Sequence, residues 1–335
     1  MNTSMKVKTL AAAAAACVGM LASAPAHAIA YAVSHLKVED FRIAISPTSA
    51  TSVNSFQFTS NNTANINAVG EVKFGNCNNV GCPVTPVIDA LQAKVGAPVY
   101  AENDFTMHSP PSATDTFSRA DSIVYTSELS SGGASPTSLE MISETLLNSN
   151  GQGAASTNVQ SQTSLTFVFT LADPGPASLD LSFMADPDKQ VVTAGLPGIY
   201  AAQANMSTAF TLTKTSGVGA GGAIQWAPNG DLANANCFAF MVGATCAKIA
   251  DSQNLNSLTS TGDNPDMQSE SFDLANVLTA FGIRITGLTA GNYSVALNAT
   301  TSTNVVRVIP EPGALALVGL ALAGLGLVSR RRKQA

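Results

Sequence analysis

The feature that most constrains this chain is apolar and polar residues alternating with a period of two. Residues 164–171 read Ser-Leu-Thr-Phe-Val-Phe-Thr-Leu, and residues 53–58, 66–74 and 178–183 repeat the pattern. Such runs put one face in a core and the other in water, which is strand behaviour. Further strands are expected at 207–215, 224–226, 281–286, 293–299 and 304–309. Turn chemistry punctuates them at Asp173-Pro174-Gly175-Pro176, Pro228-Asn229-Gly230 and Ala290-Gly291-Asn292. Helical spacing appears only locally, at 87–95 and 138–147. The expectation is all-β: one antiparallel β-sandwich over residues 29–307 with minor helices and a Greek-key-like final portion. Residues 130–136 and 151–156 read as long exposed loops.

Only 11% of the 335 residues are charged although 45% are hydrophobic. Solubility therefore rests on Ser, Thr, Asn and Gln. Between the two ends, residues 29–309 hold ten Lys and Arg against 21 Asp and Glu, a formal charge of −11. An acidic body without a basic cluster interleaved with aromatics repels phosphate backbones, so nucleic acid is not an expected partner. An acidic surface rich in Ser and Thr suits a protein solvated outside the cell.

Residues 1–28 read in the order of a secretion signal. Lys6 and Lys8 come first, then an apolar run over 10–21, then Ala26-His27-Ala28 as a small-x-small cleavage site. Processing between Ala28 and Ile29 is expected. A lipoprotein reading of Cys17 fails because Ala14 stands where a larger apolar residue is needed and the apolar run continues past it.

At the other end, Pro310-Glu311-Pro312 precedes an uninterrupted apolar segment, 313–328, and then Arg330, Arg331, Arg332 and Lys333. This order of three unlike features resembles the PEP-CTERM sorting domain, also catalogued as the ice-binding protein C-terminal domain, over residues 308–335. The resemblance implies processing by an exosortase-type transpeptidase in a Gram-negative bacterium that makes exopolysaccharide. Physics gives the segment a compatible meaning. Sixteen helical residues reach about 24 Å, short of a bilayer's apolar thickness of roughly 30 Å, so a helix here spans only with thinning or help from its flanks. Four positive charges after it hold the C-terminus in the cytoplasm and leave the body outside. Pro310 and Pro312 stop the helix from extending backwards, which leaves Pro-Glu-Pro accessible at the membrane surface. A permanent anchor predicts the same topology but gives no reason for Pro-Glu-Pro.

Four cysteines remain in the body: Cys77, Cys82, Cys237 and Cys246. An even number in an oxidising compartment suggests two disulfides, and short separations favour Cys77 with Cys82 and Cys237 with Cys246, although four cysteines permit three pairings. Zinc sites want closer pairs. Residues 164–186, the stretch 226–230, Cys237 with Cys246, and Gly291-Asn292-Tyr293 are also similar to exosortase-dependent surface-anchored proteins of unassigned biochemical role. That likeness implies a single ectodomain and nothing about chemistry.

Tests for chemistry mostly fail on context. Residues 217–222 match the dinucleotide pattern G-x-G-x-x-G, but the chain runs on to Gln225-Trp226-Ala227-Pro228, not into a helix that could hold a pyrophosphate. A glycine loop is the reading. The body keeps only His35 and His108, in no metal or triad arrangement, and has no G-x-S-x-G elbow. Asp186-Pro187-Asp188 and Asp263-Asn264-Pro265-Asp266 gather oxygen ligands in expected loops, as a calcium site would. Neither follows the EF-hand pattern, and turn initiation explains both. A glycosidase pair of carboxylates is open to sequence but needs a separation that sequence does not give. Thr211-x-Thr213-x-Thr215 occurs once, without the repeating array of an ice-binding solenoid, and reads as the solvated face of one strand.

The expectation is therefore a non-catalytic exported protein without cofactor or metal. It passes through an inner-membrane intermediate to the cell surface or extracellular matrix, where exopolysaccharide or biofilm is the implied partner. The alternative is a secreted polysaccharide-acting enzyme or a carbohydrate-binding lectin.

Overall fold

The computed structural model describes residues 29–46, 51–67, 69–78, 88–97, 100–108, 116–126, 137–148, 155–172, 175–194, 200–233, 236–261, 269–272 and 277–307. Among the described residues sixteen strands are formed: β1 (Ile29–Ser46), β2 (Thr51–Ile66), β3 (Val69–Asn78), β4 (Ile88–Ala97), β5 (Thr116–Thr126), β6 (Thr137–Asn148), β7 (Ala155–Leu171), β8 (Ala177–Ala194), β9 (Tyr200–Lys214), β10 (Ala223–Trp226), β11 (Cys237–Ala239), β12 (Thr245–Asp251), β13 (Ser257–Ser260), β14 (Ser269–Phe272), β15 (Thr279–Leu288) and β16 (Gly291–Arg307). Two antiparallel eight-stranded sheets result. Sheet 1 runs β12-β15-β8-β1-β6-β5-β4 with β14 also on β8; sheet 2 runs β11-β10-β9-β16-β7-β2-β3 with β13 also on β9. The architecture is the expected all-β sandwich. The first described strand, β1, and the last, β16, are both central in their sheets.

The alternation seen in sequence assigns the inner faces. Phe58, Phe167, Phe169, Phe183, Phe210, Trp226, Phe281 and Tyr293 are buried in one cluster between the sheets. Phe183 stacks on Phe281 with centroids 5.1 Å apart, and Phe169 on Tyr293 at 5.2 Å. Burying aromatic surface of this size is the main driving force for closing the sandwich. A second cluster is built of small residues, including Ala30, Ala32, Ala202, Ala204 and Val305. Hydroxyls bridge the sheets elsewhere: Ser60 to Ser122 at 2.5 Å, Ser143 to Thr301 at 3.0 Å, and Ser34 donating to the Asn205 carbonyl at 3.0 Å. These pairings satisfy polar groups that burial would otherwise penalise.

Both expected helices are strands. Residues 138–147 lie in β6, whose last eight residues are all buried. With both faces covered there is no alternation to read, and Leu139, Ile142 and Leu146 imitate helical spacing by chance. Of the expected helix at 87–95, residues 88–95 fall on β4, where a bulge between Ala90 and Ala93 shifts the phase of the pattern, and residue 87 lies outside the described residues. Among the described residues no helix occurs. The expected strand at 66–74 is broken by a turn at Asn67, which has φ 50° and joins β2 to β3. The segments 293–299 and 304–307 belong to one long strand, β16. Asp186-Pro187-Asp188 is neither loop nor turn: it lies inside β8. Pro187 falls between the stretch of β8 that pairs β15, ending at Ala185, and the stretch that pairs β14, starting at Lys189. That interruption tolerates a residue with no N–H to donate.

Candidate functional site

The outer faces of the two sheets differ in chemistry. Residues opposite one another across strands share a face. On sheet 1, Val33, Glu144 and Arg119 share one row; Asp188, His35, Ile142 and Asp121 the next; and Asp186, Lys37, Glu140 and Ile123 a third. Segment 100–108 covers part of this face. Arg119 Nε donates to Glu144 Oε2 at 2.7 Å, while its Nη1 and Nη2 donate to the carbonyls of Asp104 and Thr106 at 2.6 and 2.8 Å. Glu144 Oε1 accepts from Tyr31 Oη at 2.6 Å and from the His108 N–H at 2.8 Å. Tyr100 stacks on His108 at 3.8 Å and lies 4.6 Å from the Arg119 guanidinium. Burial, then the neighbouring Glu144 carboxylate, holds the Tyr31 phenol well above its usual range.

His35 is clamped on both ring nitrogens, 3.1 Å from Asp188 Oδ2 and 3.0 Å from Glu140 Oε1. Burial works to lower its pKa, but the hydrogen bonds to Asp188 and Glu140 outweigh it and raise the value to about 9. An imidazole held protonated to that pH is no general base near neutrality. Asp121 Oδ2 accepts from the Asn103 N–H at 2.8 Å and from Gln92 Nε2 at 3.3 Å. Burial pushes its carboxyl up to about 6 despite those bonds. Among the described residues no group of three or more His, Cys, Asp or Glu is placed to hold a metal ion.

Sheet 2 presents the opposite character. Across β3, β2, β7, β16 and β9 its outward rows read Asn76, Thr59, Ser164, Asn298, Ala209; then Phe74, Asn61, Gln162, Thr300, Ser207; then Val72, Thr63, Gln160, Ser302, Asn205; then Gly70, Asn65, Asn158, Asn304, Gln203. None of these positions carries a charge. At strand spacings of about 4.8 Å and about 6.7 Å for every second residue, the neutral area measures roughly 20 Å each way. Aromatics stand at its margins: Phe74 on β3, and Phe238 and Phe240, stacked at 6.3 Å, at β11. Phe238 lies opposite Gln225, which lies opposite Thr211. Thr211 and Thr213 point to this solvated side, as their alternation implies.

A disulfide, Cys237–Cys246, joins β11 of sheet 2 to β12 of sheet 1 with Cα atoms 5.9 Å apart. It staples one open edge of the sandwich and anchors the aromatic pair. Gly287, at φ 78°, lies beside it, where a Cβ would stand 2.1 Å from the Gly243 carbonyl oxygen, so only glycine fits. Cys77 is also disulfide-bonded, and Cys82 lies outside the described residues. The glycines at 217–222 form the loop from β9 to β10, with Lys214 Nζ donating to the Val218 carbonyl at 2.8 Å. A strand follows them, as the failed dinucleotide context implies. Between the sheets, a cavity of about 70 Å³ is lined by apolar residues including Phe41, Phe58, Leu165 and Phe183.

β16 ends at Arg307, hydrogen-bonded into the sheet by β7 and β9 along its whole length. Directly after it, residues 308–333 match the family model for the PEP-CTERM protein-sorting motif. The chain carries a PEP-CTERM sorting motif. That motif marks an exported protein processed at the membrane by an exosortase. No curated protein and no solved structure matches the chain. Of the residues read from sequence, Pro310, Glu311, Pro312 and Arg330 to Lys333 lie within the motif. With Ala26, Ala28 and Asp263 to Asp266 they fall outside the described residues. No helix among the described residues is long and apolar enough to cross a membrane, and 313–328 is not among them. The neutral face was missed in sequence. Its signal was there: the polar positions of 57–65, 158–166 and 298–304 are all Asn, Gln, Ser or Thr.

Proposed function

We propose that this PEP-CTERM protein is a non-catalytic component of the cell surface or extracellular matrix, associated with exopolysaccharide. The observation that carries the reading is the sorting motif at 308–333, beginning one residue after a central strand. In this reading a signal peptide at 1–28 exports the chain, a short helix at 313–328 holds it in the inner membrane, and the exosortase acts at Pro310-Glu311-Pro312. Because β16 is paired on both sides, whatever the enzyme attaches near residue 310 pulls on the middle of sheet 2.

The non-catalytic part draws support from the charged face. Glu144, Asp121 and Asp188 are buried and already engaged with donors of the same chain. A catalytic carboxylate must reach a substrate atom. The test is fractionation of producing cells with and without their exosortase. The protein should leave the membrane for the matrix only when the enzyme is present, and purified exopolysaccharide should keep its chain length on incubation with it. Shortened polysaccharide would favour the enzyme alternative and overturn this reading.

A further inference from the structure

We infer that the outer face of sheet 2 is a docking platform for neutral polysaccharide chains, an assignment that rests on the matrix reading above and names its site. Four rows across β3, β2, β7, β16 and β9 present Asn, Gln, Ser and Thr, with exceptions only on the two outermost strands of the set: Gly70, Val72 and Phe74 on β3 and Ala209 on β9. The polar side chains are uncharged hydrogen-bonding groups, and amides and hydroxyls offer donor and acceptor together. A sugar hydroxyl also offers both, so the pairing works in either direction and needs no fixed register.

Charge decides which polymers fit. The body is at −11, from ten basic and 21 acidic residues over 29–309, and the face holds no cation to offset that field. A polyanion gains no ion pair here and meets long-range repulsion. A neutral glycan loses nothing on either account. The charged side chains of the described strands gather elsewhere, notably the His35, Arg119, Asp180 and Arg284 groups of sheet 1.

The aromatics supply the apolar part of the recognition. Sugar rings expose C–H faces that pack on aromatic rings, and Phe74, Phe238 and Phe240 remain 62%, 50% and 68% exposed. Phe74 stands at one margin in the row of Asn61, and Phe238 stands past the opposite corner in the row of Thr211, so a chain laid obliquely across the strands would meet amides in the middle and rings at its ends. The Cys237–Cys246 staple fixes the Phe238 and Phe240 side, which lowers the ordering cost of binding. A repeating polymer then compensates for weak single contacts by making many.

The experiment uses mature protein purified from cells, with microcrystalline cellulose and dextran as neutral glucans and alginate as the anionic comparison. Retention on at least one neutral glucan is expected, unchanged across a salt series, with none on alginate. The double variant Gln160→Glu/Gln162→Glu places two charges in the middle of the face at exposed positions, and should weaken retention about tenfold or more. Phe238→Ala/Phe240→Ala should weaken it without adding charge. Arg284→Gln on sheet 1 should leave it unchanged, and thermal unfolding of each variant checks the fold.

Retention on alginate alone, no retention on either glucan, or indifference to both face variants overturns the inference. Loss of a dimer in the glutamate variant, with glucan retention intact, assigns the face to a second copy and also overturns it. Each of these outcomes leaves the matrix reading standing if the protein still fractionates with the matrix. Glucan retention that depends on the face, in a protein absent from the matrix, would instead support the platform and overturn the matrix reading.

Discussion

Arg119 and Glu144 face each other across β5 and β6 with 2.7 Å between Nε and Oε2, both side chains sealed from solvent. The pair is the rivet of the cover on sheet 1, because the remaining guanidinium nitrogens bind the carbonyls of Asp104 and Thr106. Glu144→Gln keeps the shape but leaves a buried cation without its counter-charge. It should cost about 3–5 kcal/mol in urea unfolding. Arg119→Lys should not rescue the cover, since an ammonium cannot reproduce the planar fork. Limited proteolysis should then cut within 100–108, where wild type resists.

His35 makes stability pH-dependent. Its folded value, about 9, lies above the unfolded value of 6.5. Its contribution is therefore fully present below pH 6.5 and lost as pH rises through about 9. His35→Gln should flatten that alkaline slope in denaturation curves measured at several pH values. An unchanged slope in the variant would show that the Asp188 and Glu140 clamp does not act through the proton.

Asp121 acts in the opposite sense. Its carboxyl is raised from 3.8 to about 6 by burial, so the folded state loses stability as pH rises from about 4 through 6. Each tenfold difference in proton affinity between the folded and unfolded states is worth about 1.36 kcal/mol. Asp121→Asn should therefore be nearly neutral at pH 4 and stabilising by up to about 3 kcal/mol at pH 7. Calorimetry at the two pH values gives the answer. Equal effects at both would place the gain in packing and not in the proton.

The edge staple gives a third handle on stability. Closing a loop with a sequence separation of 9 between Cys237 and Cys246 is worth about 2–3 kcal/mol by chain entropy. Cys237→Ala/Cys246→Ala should lower the melting temperature by roughly 5–10 °C. Reducing the wild type should cost at least as much, because it opens the Cys77 bridge as well.

What sequence made legible follows the burial of each strand. β7, β8, β9, β15 and β16 were visible because one face meets the core and the other meets water, so Phe167 and Phe169 alternate with Thr166 and Val168. β1 and β6 were not, since the cover over Tyr31, Val33 and Ile142 buries their second face too. β5, with Arg119 and Asp121 interrupting its apolar positions, was unreadable until Glu144 and Asn103 supplied the partners. The Cys237–Cys246 bridge was legible from the even cysteine count of an exported body together with the short separation, which favours this pairing among the three possible. The neutral platform was legible only strand by strand, in the uncharged polar positions of each, because its rows join strands as distant as β2 and β16 and only register brings Asn61, Gln162 and Thr300 together.

The sorting tail carries the last prediction. If Pro310-Glu311-Pro312 is the recognition element and 313–328 only presents it, the two must separate genetically. Replacing Pro310, Glu311 and Pro312 by Ala leaves the apolar segment and Arg330 to Lys333 intact, and those determine insertion and orientation. The variant should insert normally, resist release and accumulate in the inner membrane with Lys333 still attached. Deleting 330–333 removes the cytoplasmic stop from a segment already short for a bilayer, so the body should slip through uncleaved. Membrane fractionation distinguishes the two defects, and mass spectrometry of the C-terminal peptide checks that neither variant is cleaved. Wild-type surface protein that still ends in residues 330–335 would make the tail a plain anchor.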